Sequence, residues 1–261
     1  MNAQSFSFSK ENKLFILLAG IFLTNAIIAE LIGVKIFSLE NTLGFDSLQI
    51  SLFGFDNLSL NMSVGILIWP IVFILSDVIN EYFGRSGVRR ISYLTAGLIA
   101  YSFVVILAGT NLTPAEFWLQ VNATDANGQA FDIDYAYSTI FRQGLGIIVG
   151  SITAFLVGQI VDMHTFHFLR HVTNHRMLWL RATGSTVVSQ LIDSFLVLFI
   201  AFYWLGNWSM SQVLAVGLIQ YLYKVGMAVL LTPLIYAAHR IIDSWLGKNQ
   251  SEILIEKASQ T

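Results

Sequence analysis

The sequence predicts an all-α integral membrane protein of six transmembrane helices with both termini cytoplasmic, and three observations lead there. Hydrophobic residues make up 55% of the 261 and charged residues only 11%, where soluble domains carry about a quarter charged residues. The apolar residues gather into six runs, each long enough to approach or span a hydrocarbon core at about 1.5 Å of rise per residue. Lys and Arg then fall on every second loop, the asymmetry expected of cytoplasmic loops. The formal net charge of −2 is uninformative beside that distribution. The chain has no cysteine, which removes disulfides, thiolate metal sites and cysteine nucleophiles together.

A polar leader, 1–13, precedes the first run at about 14–34. A signal peptide is the rival reading, because Lys10 and Lys13 come first. The run is long for a signal core and no small-x-small cleavage site follows it, so it reads as a retained span. Residues 37–61 alternate apolar residues with Asn, Gly, Asp and Ser, the pattern of an extended hairpin or interfacial loop. The second span is placed at 62–79 with a kink at Pro70, followed by a short basic turn over 82–90 and a third span at 91–108. Residues 110–138 carry Glu116, Asp125, Asp132 and Asp134 and no Lys or Arg; Trp118 suits the membrane surface there. The fourth span, 140–162, leads to a basic, histidine-rich loop over 163–181. The fifth and sixth, 182–204 and 212–238, close a single membrane domain over 14–240, and 241–261 is a charged, amphipathic cytoplasmic tail.

Lys10 and Lys13, then Arg85, Arg89 and Arg90, then Arg170, Arg176 and Arg181, then Arg240, Lys248 and Lys257 all fall on one side of this arrangement. The other side has essentially Lys35 and Arg142, both at span ends.

Ionisable residues inside a span are costly and face a cavity or a partner charge. Asp77, Asn80 and Glu81 project from one helical face by their i, i+3 and i, i+4 spacing where the second span leaves the hydrocarbon. The first span contains Asn25 and Glu30; Glu30 and Lys35 read equally as interfacial groups whose heads snorkel. A Gln and an Asp three apart recur, as Gln159 with Asp162 and as Gln190 with Asp193. Asp193 lies twelve residues beyond Arg181 and Lys224 twelve beyond Gln212, each about 18 Å deep from opposite sides. Two opposite charges at matching depth on consecutive spans are expected to pair directly or across a ligand.

His164, His167, His171 and His175 recur at three- and four-residue steps, a stripe that suits a transition metal. A membrane metal carrier or metal enzyme using that stripe with Asp162 is the alternative from a different class. Arg170 and Arg176 among the histidines repel a divalent cation, and the expected position in a cytoplasmic loop favours a plain topogenic role. No Gly-rich phosphate loop, His-Glu-x-x-His or Gly-x-Ser-x-Gly is present, and the basic patches are too small to indicate nucleic acid. The reading is of a non-enzyme with no cofactor and no metal.

Ser76-Asp-Val-Ile-Asn-Glu-Tyr-Phe-Gly84 followed by Arg89-Arg90 resembles the Asp-x-x-Asn-Glu-x-x-Gly signature of the queuosine precursor transporter family, also described as vitamin uptake transporters. Residues 178–194, Tyr223-Lys224 with Leu231-Thr-Pro-Leu234, and Asn25 to Lys35 resemble further segments of that family. The resemblance implies an inner-membrane importer of the 7-deazaguanines preQ0 and preQ1, precursors of a modified tRNA base. It also implies a likeness in size and span count to the substrate-binding subunits of energy-coupling-factor transporters. Partners would be the small-molecule 7-deazaguanine, the lipid bilayer, and either a second copy of the chain or a separate energising module. The chemistry is compatible, since a carboxylate accepts adjacent N–H donors of a guanine-like edge and aromatic rings stack a flat base. Asp193 and Gln190 are expected in the pocket with Lys224 as counter-charge, and Asp77, Asn80 and Glu81 at the inner end of the path. Gln159, Asp162, Asn25 and Glu30 complete the candidate substrate-binding set.

Overall fold

A computed structural model describes residues 9–142, 144–174 and 176–260. Nine helices carry the fold among them: α1 (Lys10–Ile32), α2 (Leu39–Leu43), α3 (Trp69–Thr110), α4 (Glu116–Val121), α5 (Ile133–Phe141), α6 (Leu145–Val172), α7 (Leu178–Leu198), α8 (Met210–Leu246) and α9 (Lys248–Ser259). Five helical stretches are long and apolar enough to cross a membrane: α1, α3, Ile133–Val172, Leu178–Trp204 and α8. The chain is therefore an all-α, multi-pass membrane protein.

The first departure from the expected spans lies in α3. Residues 62–63 are not helical but belong to strand β4 (Asn61–Ser63), which pairs antiparallel with β1 (Ile36–Ser38). The strands β2 (Ile50–Leu52) and β3 (Phe55–Leu58) form a second hairpin, so the 37–61 segment is extended as its alternation suggests. The helix starts at Trp69, and Pro70 sits in its first turn rather than at a kink. A proline there costs nothing, because the N–H it lacks would have no intrahelical partner.

The break comes instead at Gly84, whose φ of 65° and ψ of −168° interrupt the helix. Only glycine adopts that backbone readily. Residues 82–90 are thus helical on both sides of one residue, not a loop. A Cβ on Gly87 would lie 3.4 Å from Ile79, although eight residues of straight helix would separate them by about 12 Å. The helix therefore bends sharply at Gly84 between two arms, 69–83 and 85–110, which carry the second and third expected apolar runs.

The fourth span differs too. Helix α5 ends at Phe141, and α6, from Leu145, runs ten residues past Asp162 to Val172. Nothing between Asp162 and Thr173 stops a helix: no Gly, no Pro. Met163, Phe166, His167 and Arg170 are buried at i, i+3, i+4 and i+7, a continued inward face. His164, His167 and His171 are helical as a result, and His175 lies outside the described residues. Small residues let α6 approach α7 closely: a Cβ on Gly150 would sit 3.1 Å from the Val197 carbonyl oxygen. The last turns before Trp204 widen into a π-helix. Helix α9 folds back onto α3 and α8, burying Ser251, Leu254 and Ala258.

The core gathers Leu14, Leu18, Phe22 and Ala26 of α1, Val72, Ile79, Tyr82 and Ile91 of α3, and Phe155 and Met163 of α6. Ile16, Leu17, Tyr101, Val104, Leu222 and Leu230 face outward. In water that would be an error of design; in hydrocarbon it is the required surface.

Candidate functional site

The polar side chains inside the bundle form layers, and α3 supplies a member to several of them. Ser76 donates from its Oγ to Gln159 Oε1 of α6 at 2.8 Å. Asn80 Oδ1 lies 2.9 Å from His167 Nε2 of α6. Glu81 accepts from Arg181 of α7 through Nε at 3.1 Å and Nη2 at 2.7 Å, and Arg170 Nη2 approaches the same carboxylate at 3.8 Å. Arg181 also lies over the Phe166 ring, 5.8 Å from its centroid. Tyr82 donates to Asp243 Oδ1 of α8 at 2.6 Å and lies 3.0 Å from His239 Nδ1. Ser251 of α9 donates to the same Asp243 oxygen. Successive residues of one helix turn thus fasten α3 to α6, α7 and α8.

Asp77 is different. It is 2% exposed, and its Oδ1 accepts no hydrogen bond from the protein. It lines a cavity enclosed by the first arm of α3, α7 and α8, with Trp69, Phe73, Thr183, Thr186, Tyr223 and Lys224 among the walls. The i, i+4 spacing of 69, 73 and 77 explains why these α3 residues share a wall. Trp69 and Phe73 stack with centroids 5.9 Å apart and planes at 19°. The cavity holds about 500 Å³ of unfilled space, mouth included, of which about 30 Å³ admits the centre of a water-sized sphere. That is room for roughly two waters.

Lys224 donates to Asp193 Oδ2 at 2.6 Å, with the two side chains 15% and 22% exposed. The two charges that share a depth in the sequence do meet. Lys224 is on the cavity wall, while Asp193 reaches it only through Lys224. Gln190 is buried with Oε1 unpartnered, and Asp162 accepts from Ser189 at 3.2 Å through Oδ1 while its Oδ2 has no donor.

Family membership is decided by sequence comparison over this same region. The family described as "Putative vitamin uptake transporter" matches residues 63–238. The chain belongs to that family. It is 28% identical over 196 residues to the "Probable queuosine precursor transporter" of Bacillus subtilis (strain 168), covering 75% of this chain and 77% of that one. It is 25% identical over 180 residues to the like-named protein of Haemophilus influenzae (strain ATCC 51907 / DSM 11121 / KW20 / Rd), 67% of each. It is 27% identical over 182 residues to the "Queuosine precursor transporter" of Escherichia coli (strain K12), 68% of this chain and 70% of that one. No solved structure matches the chain. The family region holds the whole cavity and the Glu81 and Lys224 ion pairs.

The first span stands apart from the cavity. Asn25 donates to the Ile21 carbonyl of its own helix at 2.8 Å, and Glu30 accepts from Ser151 of α6 at 2.9 Å. The histidine stripe does not share one environment: His167 is buried against Asn80, while His164 and His171 are exposed. Among the described residues no three His, Cys, Asp or Glu side chains converge as a metal site. The charge pattern of the sequence puts Arg170 and Arg181 in a basic loop; the structure buries both. The signal for burial is present in the unbroken helical spacing from Met163 to Arg170. Trp69, Phe73, Thr183 and Thr186 do not stand out as a group in the sequence, because rotation about each helix decides that they face one space.

Proposed function

We propose that this chain imports queuosine precursors, the 7-deazaguanines preQ0 and preQ1, across the inner membrane for tRNA modification. The bundle would use six spans with both termini cytoplasmic, counting the arms of α3 separately. One observation carries the reading: the family region encloses a cavity whose walls combine stacked aromatic rings with an anion, Asp77, and a cation, Lys224. A flat base slides against Trp69 and Phe73. Its adjacent N–H donors draw Asp193 away from Lys224, and Lys224 turns to the base's carbonyl oxygen. Tyr223, Thr183 and Thr186 add neutral hydrogen-bonding and apolar contacts. Glu81 with Arg170 and Arg181 holds the inner end of the bundle together. The protein works as a carrier rather than an enzyme; a likeness to energy-coupling-factor binding subunits would have it borrow an energising module.

The test feeds preQ0 or preQ1 to cells unable to make either and reads queuosine in their tRNA. The parent chain restores the modification, and Asp193→Asn, at equal membrane level, lowers it at least tenfold. Failure of the parent with both precursors overturns the assignment and returns the substrate to the vitamins of the family's description.

A further inference from the structure

The bundle interior buries more carboxyl groups than basic side chains. Among the described membrane-spanning helices, four carboxyl groups are buried (Glu30, Asp77, Glu81 and Asp162) against two buried guanidiniums, Arg170 and Arg181. Asp193 and Lys224, less deeply buried, cancel each other at 2.6 Å, and at the inner rim half-buried Arg85 and Asp243 are one of each sign. Both guanidiniums lean on Glu81. Neither Asp77 nor Asp162 makes an ion pair with a basic side chain among the described residues, although the two carboxylates lie within electrostatic reach of each other.

Three acceptors on these helices lack a donor, although the buried Asn80 Nδ2 on α3 and Ser194 Oγ on α7 have no partner either. Asp77 Oδ1 on α3, Asp162 Oδ2 on α6 and Gln190 Oε1 on α7 are shut off from solvent and accept no well-formed hydrogen bond, although the Ser185 hydroxyl is a neighbour of the Asp162 carboxyl. Their residues are 2%, 6% and 2% exposed. Ser189, next to Gln190, holds the other Asp162 oxygen at 3.2 Å. One turn before Gln190, Thr186 lies on the cavity wall, as Asp77 does. A buried acceptor without a donor costs about 1–3 kcal/mol, and more when charged, so a protein keeps such groups where a ligand supplies the donors.

We propose that Asp77, Asp162 and Gln190 form a subsite for a primary ammonium group at the inner side of the cavity. An ammonium brings one positive charge and three N–H donors, one donor for each of two carboxyl oxygens and an amide oxygen. The inference rests on the reading that a 7-deazaguanine occupies the cavity, and it chooses within that class. The base carrying an aminomethyl arm, preQ1, is the preferred substrate over preQ0, whose nitrile offers no proton and no charge.

The experiment measures binding of preQ1 and preQ0 to the purified full chain in detergent, by direct titration, for the parent, Asp162→Asn and Asp162→Glu. The parent is expected to bind preQ1 at least tenfold more tightly than preQ0. Asp162→Asn brings the two affinities within about threefold by weakening preQ1, and Asp162→Glu recovers part of the preference. Persisting preQ0 binding in Asp162→Asn shows that the variant is folded. An unchanged preference in Asp162→Asn, or a parent that prefers the nitrile, overturns the subsite and leaves the transporter reading standing. A parent that binds neither base overturns both together.

Discussion

Two ion-paired groups cross this bundle, and they differ in what surrounds them. Glu81 sits between Arg181 and Arg170, with all three side chains at 5% exposure or less, and its cationic partners come from two helices at once. Asp193 and Lys224 form a simple pair, partly open, one member on the cavity wall. A fully buried, multiply bonded carboxylate has no room to change partners, whereas an open pair beside a cavity can exchange its partner for a ligand. The first network fixes helix positions, and the second has room to rearrange.

The comparison is broken most forcefully at Glu81. Glu81→Gln keeps the shape and leaves two buried guanidiniums without a counter-charge, at a cost of about 3–5 kcal/mol. The expected outcome is a large loss of thermal stability in detergent and little protein in the membrane; parent-like melting would mean that the triad is not structural. At the other pair, Lys224→Met leaves Asp193 without its donor and should cost about 1–3 kcal/mol. Asp193→Asn with Lys224→Met should recover most of that, because no uncompensated charge remains; the melting temperatures of the two single variants and the double measure this directly.

Arg170 sharpens the contrast at smaller scale. Its Nη2 also donates to the Ile255 carbonyl of α9 at 2.8 Å, so the triad reaches the C-terminal helix. Lysine there keeps the charge and loses the planar fork. Arg170→Lys is expected to cost about 1–2 kcal/mol and to speed hydrogen exchange in α9 relative to α8. Equal exchange in both helices would show that Arg170 does not hold α9.

Glu40 is the control, a buried carboxylate outside the spans with no cation. Burial acts to raise its pKa, but the Leu60 N–H at 2.6 Å, its own N–H and the Ser38 hydroxyl at 3.1 Å outweigh that and hold it below the ordinary 4.5. A lowered folded-state pKa contributes stability that is fully present above 4.5 and is lost as pH falls through the folded value. Exchange of the Leu60 amide should therefore quicken only on acidification below that range, and Glu40→Gln should remove the pH step.

Much of this architecture is legible in the chain. Depth follows from counting residues at a fixed rise, so the count alone brings Asp193 and Lys224 to one level. The alternation at 37–61 marks the extended segment, and the apolar runs mark the long apolar helices. Rotation about each helix leaves no such count, which is why the aromatic and threonine walls of the cavity do not assemble from the sequence. Arg170 and Arg181 read as loop charges because a basic residue near a span end marks the cytoplasmic side whether it faces water or a carboxylate. The break at Gly84 reads as a turn of several residues, since a single glycine with unusual dihedrals has the same composition as a short loop.

The central claim is that the Asp193–Lys224 pair serves the substrate while the Glu81 triad serves the fold. The most direct test is queuosine in tRNA from cells that cannot make its precursors, fed preQ0 or preQ1 and carrying Asp193→Asn with Lys224→Met at the membrane level of the parent. The account predicts a stable double variant with uptake reduced at least tenfold. Uptake at the parent's level would contradict it, and would make the pair a structural fastening like the one at Glu81.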